Sequence, residues 1–395
     1  MNEIFFPLMG CIAGVLTGLI PGIHVNTIAL LVLAIAPEND FNFVLFLVSM
    51  AVVHSFVDFI PSIGLGAPST DNFLSVLPGH RFLLKGKGFQ AIKLSVIGGI
   101  FAGIFSLLLL PVYFLFLIEF IELISFLIPS ILLFVLFLMV ISEKGAKRKA
   151  FALIVIFFSG AVGLIVLKNL GTGNGLFLLV TGFFGISTLV YSLTQKQKIP
   201  KQKIEKGEFN GRESIEGSFL STLGGSIVSF LPSVGPNQAA FILRKVIGRI
   251  DASKYLIILG GINTSNLIFS LFVLYLIGKT RTGVAAAINQ LILLQEFHLI
   301  PLIGAILLGI GFGAIATHLI GRIIMKRLHR INYIYLNSVI LVFLLALGFF
   351  FGGGIGMVVI FTSSSIGLIA VSSKIKRTNT MAFLMVPTIV IYLGI

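Results

Sequence analysis

Lys279 and Arg281 stand between two apolar runs, residues 255–278 and 283–295, in a chain of 395 residues of which only 11% are charged. A cation at bilayer depth costs roughly 2.5–3.5 kcal/mol on insertion scales, so something must offset it. One answer is a bound anion, to which the Arg281 guanidinium would offer a planar, two-pronged contact suited to a carboxylate or phosphate. The other is that both side chains snorkel into headgroups at an interface. A second set of candidates sits at backbone breaks within apolar runs: Pro21-Gly22, Ala67-Pro68-Ser69-Thr70 and Pro232-Ser233. A helical segment starting at such a break presents unpaired N–H groups and the positive end of its dipole, both of which favour an anion. Asn26 and Asn237 follow the first and third breaks, and Ser69, Thr70 or Asp71 could cap the segment after the second. Asp58, Asp71, His24 and His54 are the other ionisable groups at apparent membrane depth. Each is a candidate for carrying a coupling proton, or is a packing or capping residue.

Positioning these residues is a matter of membrane-spanning helices. The chain is 57% apolar with a mean hydropathy of +1.10, and apolar runs of the length needed to cross about 30 Å of hydrocarbon recur throughout. A soluble enzyme, a fibre and a disordered chain are excluded. The 43 glycines and 13 prolines indicate broken helices, which are tolerated where protein or a water-filled cavity satisfies the freed backbone. Gly14 and Gly18 form a G-x-x-x-G pair, whose plain use is close helix packing. Cys11 is the single cysteine, so there is no internal disulfide and no zinc site of familiar spacing. The start, MNEIFFPLMG, lacks the basic residues of a cleavable signal and is expected to belong to the mature protein.

Charge orients the spans. Of the 28 Lys and Arg residues, 25 fall into six clusters, Arg81–Lys93, Lys144–Lys149, Lys196–Arg212, Arg244–Lys254, Arg322–Arg330 and Lys374–Arg377; only Lys168, Lys279 and Arg281 lie elsewhere. The net charge of +14 is therefore an orientation signal, with the clusters cytoplasmic, and not a nucleic-acid footprint. Single crossings are expected over 41–60, 94–118, 121–141, 150–167 and 174–193, then 255–278, 299–321, 331–350, 353–373 and 379–395. Residues 4–36 and 214–248, broken at Pro21-Gly22 and Pro232-Ser233, must each begin and end on one side and are expected to form hairpins.

Each half is then one broken hairpin plus five crossings, and the odd number inverts the second half. The fold class is an all-α polytopic membrane protein of two inverted-topology repeats, residues 1–193 and 214–395, joined by a cytoplasmic linker, 194–213. A constant offset of 211 residues aligns Gly14, Gly18, Pro21, Gly22 and Asn26 with Gly225, Ser229, Pro232, Ser233 and Asn237. Gly66–Asp71 meets Ile277–Thr282 at the same offset. Inverted repeats with interrupted helices are the architecture of secondary transporters, whose substrate sits where the broken helices meet.

At these residues the chain resembles the large permease subunit of the tripartite tricarboxylate transporters, in its archaeal-type branch. The resemblance is carried, in order, by GVLTGLIPG, by Gly66-Ala-Pro-Ser-Thr-Asp71 with Leu77-Pro-Gly-His-Arg81 and Lys85-Gly-Lys-Gly88, and by FLPSVGPNQAA, then continues through Gly261–Asn266 and Leu276–Gly283. It implies import of small carboxylate anions driven by an ion gradient, with Pro21, Gly22, Pro68, Ser69, Thr70, Pro232 and Ser233 as site positions. In bacterial members it also implies a small membrane subunit and an extracytoplasmic binding protein. No cofactor is expected beyond a coupling H+ or Na+, and a homo-oligomer is compatible with the sequence.

Two rivals remain. A flippase for a lipid-linked anion such as a polyprenyl phosphate would use the same anion-attracting breaks. A membrane-embedded enzyme would need clustered carboxylates, yet Asp58 and Asp71 are 13 apart with no D-x-x-D pattern, and there is no H-E-x-x-H. The longest polar segment, about 20 residues, is too short for an ATPase domain by the usual size of domains.

Overall fold

Asp40 accepts a hydrogen bond from the Asn42 N–H at 2.9 Å and starts helix α2, Phe41–Val57; Asp251 does the same for Ser253 and Lys254 at the start of α11, Ala252–Ile277. Both are N-caps, satisfying donors that the first helical turn leaves free. The computed structural model describes the chain except residues 1, 21–24, 26–27, 30–31, 34–35, 38–39, 65–75, 196–198, 205–210, 230–234, 249, 331 and 395. The side chains of 2–3, 76–77, 116–118, 120–122, 124–125, 172–173, 192, 195, 237–238, 241, 244–246 and 333 are also outside the description. Among the described residues there is no strand.

The first half runs α1 (Asn2–Leu19), α2, α3 (Phe59–Gly64), α4 (Val76–Leu84), α5 (Gly88–Ile141) and α6 (Ala146–Leu170), then α7 (Thr172–Val180), a π-helical turn (Thr181–Ile186) and α8 (Ser187–Gln195). The second runs α9 (Gly211–Val228), α10 (Pro236–Ile247), α11, α12 (Gly283–Leu291), α13 (Leu299–Leu328), α14 (Tyr333–Ser372) and α15 (Ala382–Leu393). Among the described residues, seven stretches are long and apolar enough to cross a membrane, and Ile4–Leu19, Phe126–Ile141 and Arg377–Leu393 are shorter apolar helices. The protein is multi-pass.

The breaks expected at Pro21-Gly22 and Pro232-Ser233 lie outside the described residues. α1 ends at Leu19, just before Pro21-Gly22, and α9 and α10 flank Phe230–Val234. Pro236 opens α10, where its missing N–H would have had no partner in any case. The spans expected at 331–350 and 353–373 are joined as α14, bent where Gly353 takes φ 55°. One departure stands out. Where the sequence suggests separate spans at 94–118 and 121–141, α5 stays helical through Pro111 and Pro129 for 54 residues, about 80 Å at 1.5 Å per residue. Of its apolar stretches, Gly88–Leu115 is long enough for one crossing, and Phe126–Ile141 is a shorter apolar segment. Val76–Leu84 is helical and follows the break that the sequence marks at Ala67-Pro68-Ser69-Thr70; Pro78 lies in its first turn, where proline is tolerated.

Burial divides the helices into two cores. One joins α1–α3 and α5 to α9–α13, and the other joins α6, α7, the π turn, α8, α14 and part of α15. Each core therefore mixes the two halves of the chain. At its centre lie the two most enclosed spans, with 89% of the apolar window of α2–α3 and 94% of that of α11 buried. Each crosses to the other half: α2 packs on α1 and α13, α11 on α9 and α5. Glycine permits the approach. Gly14 and Gly18 of α1 bring Val53 and Val57 of α2 to 2.8 Å from where a Cβ would stand, and Gly309 of α13 brings Val52 to 2.9 Å.

The basic segments are tied to one another. Gln202 of the linker, 5% exposed, accepts from the Gly88 N–H at 2.8 Å and donates to Leu83 O at 3.0 Å, while the Lys203 N–H reaches Gly86 O. Met325 of α13 approaches the same Gly88. Lys254 pairs with Glu216, which also binds Arg212. Glu143 accepts from the Lys376 N–H at 2.8 Å and from Asn379 at 3.0 Å. All six basic clusters contain or adjoin a residue in these contacts.

Candidate functional site

Ser229 directly follows α9 and is the last described residue before 230–234. Its hydroxyl is 2.5 Å from the hydroxyl of Tyr113 on α5, whose ring lies against Phe269 of α11 with centroids 4.3 Å apart. Ser229 also donates to Ser226 O at 2.7 Å, so the phenol is left to donate to Ser229. The end of α9 is thus held by a side chain of α5.

Arg281 lies beside this anchor. α11 closes at Gly278, a left-handed cap with φ 64° that reverses the chain, and Thr282 caps α12 by accepting from the Ala285 N–H at 3.1 Å. Between the two, Lys279 is exposed, whereas Arg281 turns inward. Its Nε and Nη2 are buried and have no hydrogen-bond partner among the described residues. Its charge is close enough to act electrostatically on the Tyr113 hydroxyl. Buried guanidinium N–H groups without a partner are costly, and a carboxylate or phosphate supplies the matching acceptors.

A second polar group lies on α2. His54 Nδ1 is 3.0 Å from Thr17 Oγ1 on α1, and His54 Nε2 is 3.9 Å from Asp58 Oδ2. His54 and Asp58 are 4% and 2% exposed, and Asp58 stands at the turn between α2 and α3. Across α2, Asn263 of α11 donates to Ser55 O at 3.2 Å, and the Ser55 and Thr264 hydroxyls are 3.5 Å apart. Both central spans therefore break their apolar character at one level.

Of the residues singled out from sequence, Pro21, Gly22, His24, Asn26, Pro68, Ser69, Thr70, Asp71, Pro232 and Ser233 lie outside the described residues, as does the side chain of Asn237. Asp58 and Arg281 are placed as given above. Lys168 is exposed at the end of α6, and His318 is exposed against Phe89. Among the described residues no group of three His, Cys, Asp or Glu could hold a metal ion. Tyr113, Ser229 and Thr17 were not legible as site residues. A lone tyrosine inside LLLLPVYFLFL was the one available signal, since a buried phenol needs a partner.

No solved structure matches the chain. A curated protein of Methanocaldococcus jannaschii, named "Uncharacterized protein MJ1079", is 30% identical over 403 residues, with all of both chains covered. The Tripartite tricarboxylate transporter TctA family matches over residues 4–382. That is a family of transporters and not of enzymes, and its systems are tripartite. With nearly its whole length matched, this multi-pass membrane protein belongs to the tripartite tricarboxylate transporter TctA family.

Proposed function

We propose that the chain is the permease of a secondary transporter for a small organic anion, a di- or tricarboxylate, working by alternating access and driven by a proton or sodium gradient. The observation that carries this is Arg281: a guanidinium with two buried, unpartnered nitrogens, beside the Tyr113–Ser229 anchor of a broken hairpin. A carboxylate bound there would satisfy those donors.

The two halves act as inverted repeats on this reading, residues 1–193 and 214–395 about the linker. Helix starts support it: Phe41 and Ala252, Gly88 and Leu299 are each 211 apart, as are the caps Asp40 and Asp251. The exchange of partners between α2 and α11 supports it as well. A small membrane subunit and an extracytoplasmic binding protein would complete the system, as the family's tripartite organisation suggests.

Uptake of radiolabelled citrate and succinate into proteoliposomes, under imposed proton or sodium gradients, tests the proposal. Gradient-dependent accumulation that falls in Arg281→Gln is the expected result. Scrambling of a lipid-linked phosphate with no carboxylate uptake would replace it with the flippase.

A further inference from the structure

We infer that His54 and Asp58 form a one-proton site that carries the coupling proton; this deepens the transport reading above and rests on it. Thr17 donates its own hydroxyl proton to Gly14 O at 3.2 Å, so the 3.0 Å contact with His54 makes Nδ1–H the donor to Thr17 Oγ1. In a neutral imidazole with Nδ1 protonated, Nε2 is the acceptor. That nitrogen faces the Asp58 carboxylate at 3.9 Å, which sets two acceptors opposite each other. One added proton on Nε2 turns this juxtaposition into an imidazolium–carboxylate pair; its departure restores neutral imidazole and carboxylate. The pair's net charge thereby alternates between zero and minus one.

The location suits coupling. His54 is the fourteenth residue of the 24-residue span Phe41–Gly64, about 20 Å along the helix, and Asp58 lies where α2 gives way to α3. Gly18 lets α1 come to 3.2 Å from the Asp58 N, measured from where a Cβ would stand. Any movement of α1 against α2 therefore alters the Thr17–His54 contact. The same span is bound on its other face to Thr264 and Asn263 of α11, the helix that leads to Arg281. The other ionisable groups on helices packed against α2 have their own settings. Cys11 is buried on α1, Lys93 and His318 meet Phe89, Tyr113 binds Ser229, and Lys254 pairs with Glu216; Glu119 of α5 is exposed, and the side chains of Glu3 on α1 and Glu122 on α5 lie outside the description. Tyr255 and Tyr275 stand near opposite ends of α11, and Arg322, Lys326 and Arg327 lie in the last two turns of α13; α3 and α12 carry none.

The test has two arms. In the first, histidine-selective ¹⁵N NMR of the full chain in lipid nanodiscs follows the His54 Nε2 resonance, assigned by its loss in His54→Gln, between pH 5 and 9. A protonation step is expected, and Asp58→Asn should abolish it or displace it by a pH unit or more. Thr17→Val, which leaves both ionisable groups in place, should also displace it and serves if Asp58→Asn fails to fold. No step, or one unmoved by either change, overturns the site. In the second arm, labelled citrate is followed in proteoliposomes, and Asp58→Asn should reduce accumulation driven by a pH gradient at least tenfold more than it reduces counterflow exchange. Equal losses, or accumulation that follows sodium alone, overturn the coupling role. Absence of citrate transport by the unaltered chain in both assays counts against the substrate reading, and the NMR arm still decides whether the proton site exists.

Discussion

Gly98 of α5 lies directly against the backbone carbonyl of Ile257 in α11, so that a Cβ on Gly98 would run into that oxygen. Gly260 of α11 meets the Ser95 carbonyl of α5 in the same way. Two helices from different halves are thus pressed together at backbone distance, and neither obstacle is a flexible side-chain end that could give way. Gly98→Val should cost about 1–3 kcal/mol or more by overpacking, read as loss of monodisperse protein in size-exclusion chromatography and a lower thermal midpoint. Gly304→Ala on α13, with nothing within 4 Å of its Cβ, is the matched control and should be silent.

Arg281→Gln should raise the half-saturation concentration for citrate by roughly tenfold or more, on the about 1.5–3 kcal/mol assigned to a hydrogen bond with a charged group. Arg281→Lys should recover only part of that, because an ammonium cannot make the two-pronged contact. Lys279→Gln should change little, since Lys279 is exposed. Uptake measured against citrate concentration for all three decides the matter; equal values throughout would make Arg281 an interfacial cation.

Tyr113→Phe removes the hydroxyl that holds Ser229 while keeping the ring against Phe269. The fold should survive with a loss of about 1 kcal/mol, the usual net value of a hydrogen bond, while citrate uptake falls several-fold because the hairpin base is no longer fixed. Ser229→Ala should resemble it, and the double variant should be no worse than either single one. Additive losses would show that the two hydroxyls act separately.

Cysteines placed at Asn39 and at Lys201 should label from opposite sides of the membrane, with the Lys201 side cytoplasmic. Cys11 is buried and gives a quiet background. A membrane-impermeant maleimide, added to intact and to permeabilised cells, reads the difference. Labelling of both sites in intact cells would contradict the inverted arrangement.

Most spans were legible because their apolar runs have membrane length and their ends carry Pro, Gly or charge. The bend at Gly353 follows from backbone chemistry that is local to that residue. Contacts between distant segments were not legible. Nothing in the linker marks Gln202 as the residue that will bind Leu83 and Gly88, because its amide matters only once the α4–α5 turn is beside it. Tyr113 reads as one more aromatic in an apolar run until Ser229 arrives from the other half.

The interleaving of the halves also sets a timetable for synthesis. α2 carries His54, Ser55 and Asp58 and is covered on one side by α13, which begins 242 residues after α2 ends, at Leu299. At about 5–20 residues per second of chain growth, that face waits on the order of 10–50 s in the bilayer before its partner is made. Until then, and until α11 arrives to meet Ser55, that span lacks the second-half partners of its buried faces. A chain that stalls after the linker would therefore be left as an orphan with its most buried helix uncovered, open to quality-control proteolysis.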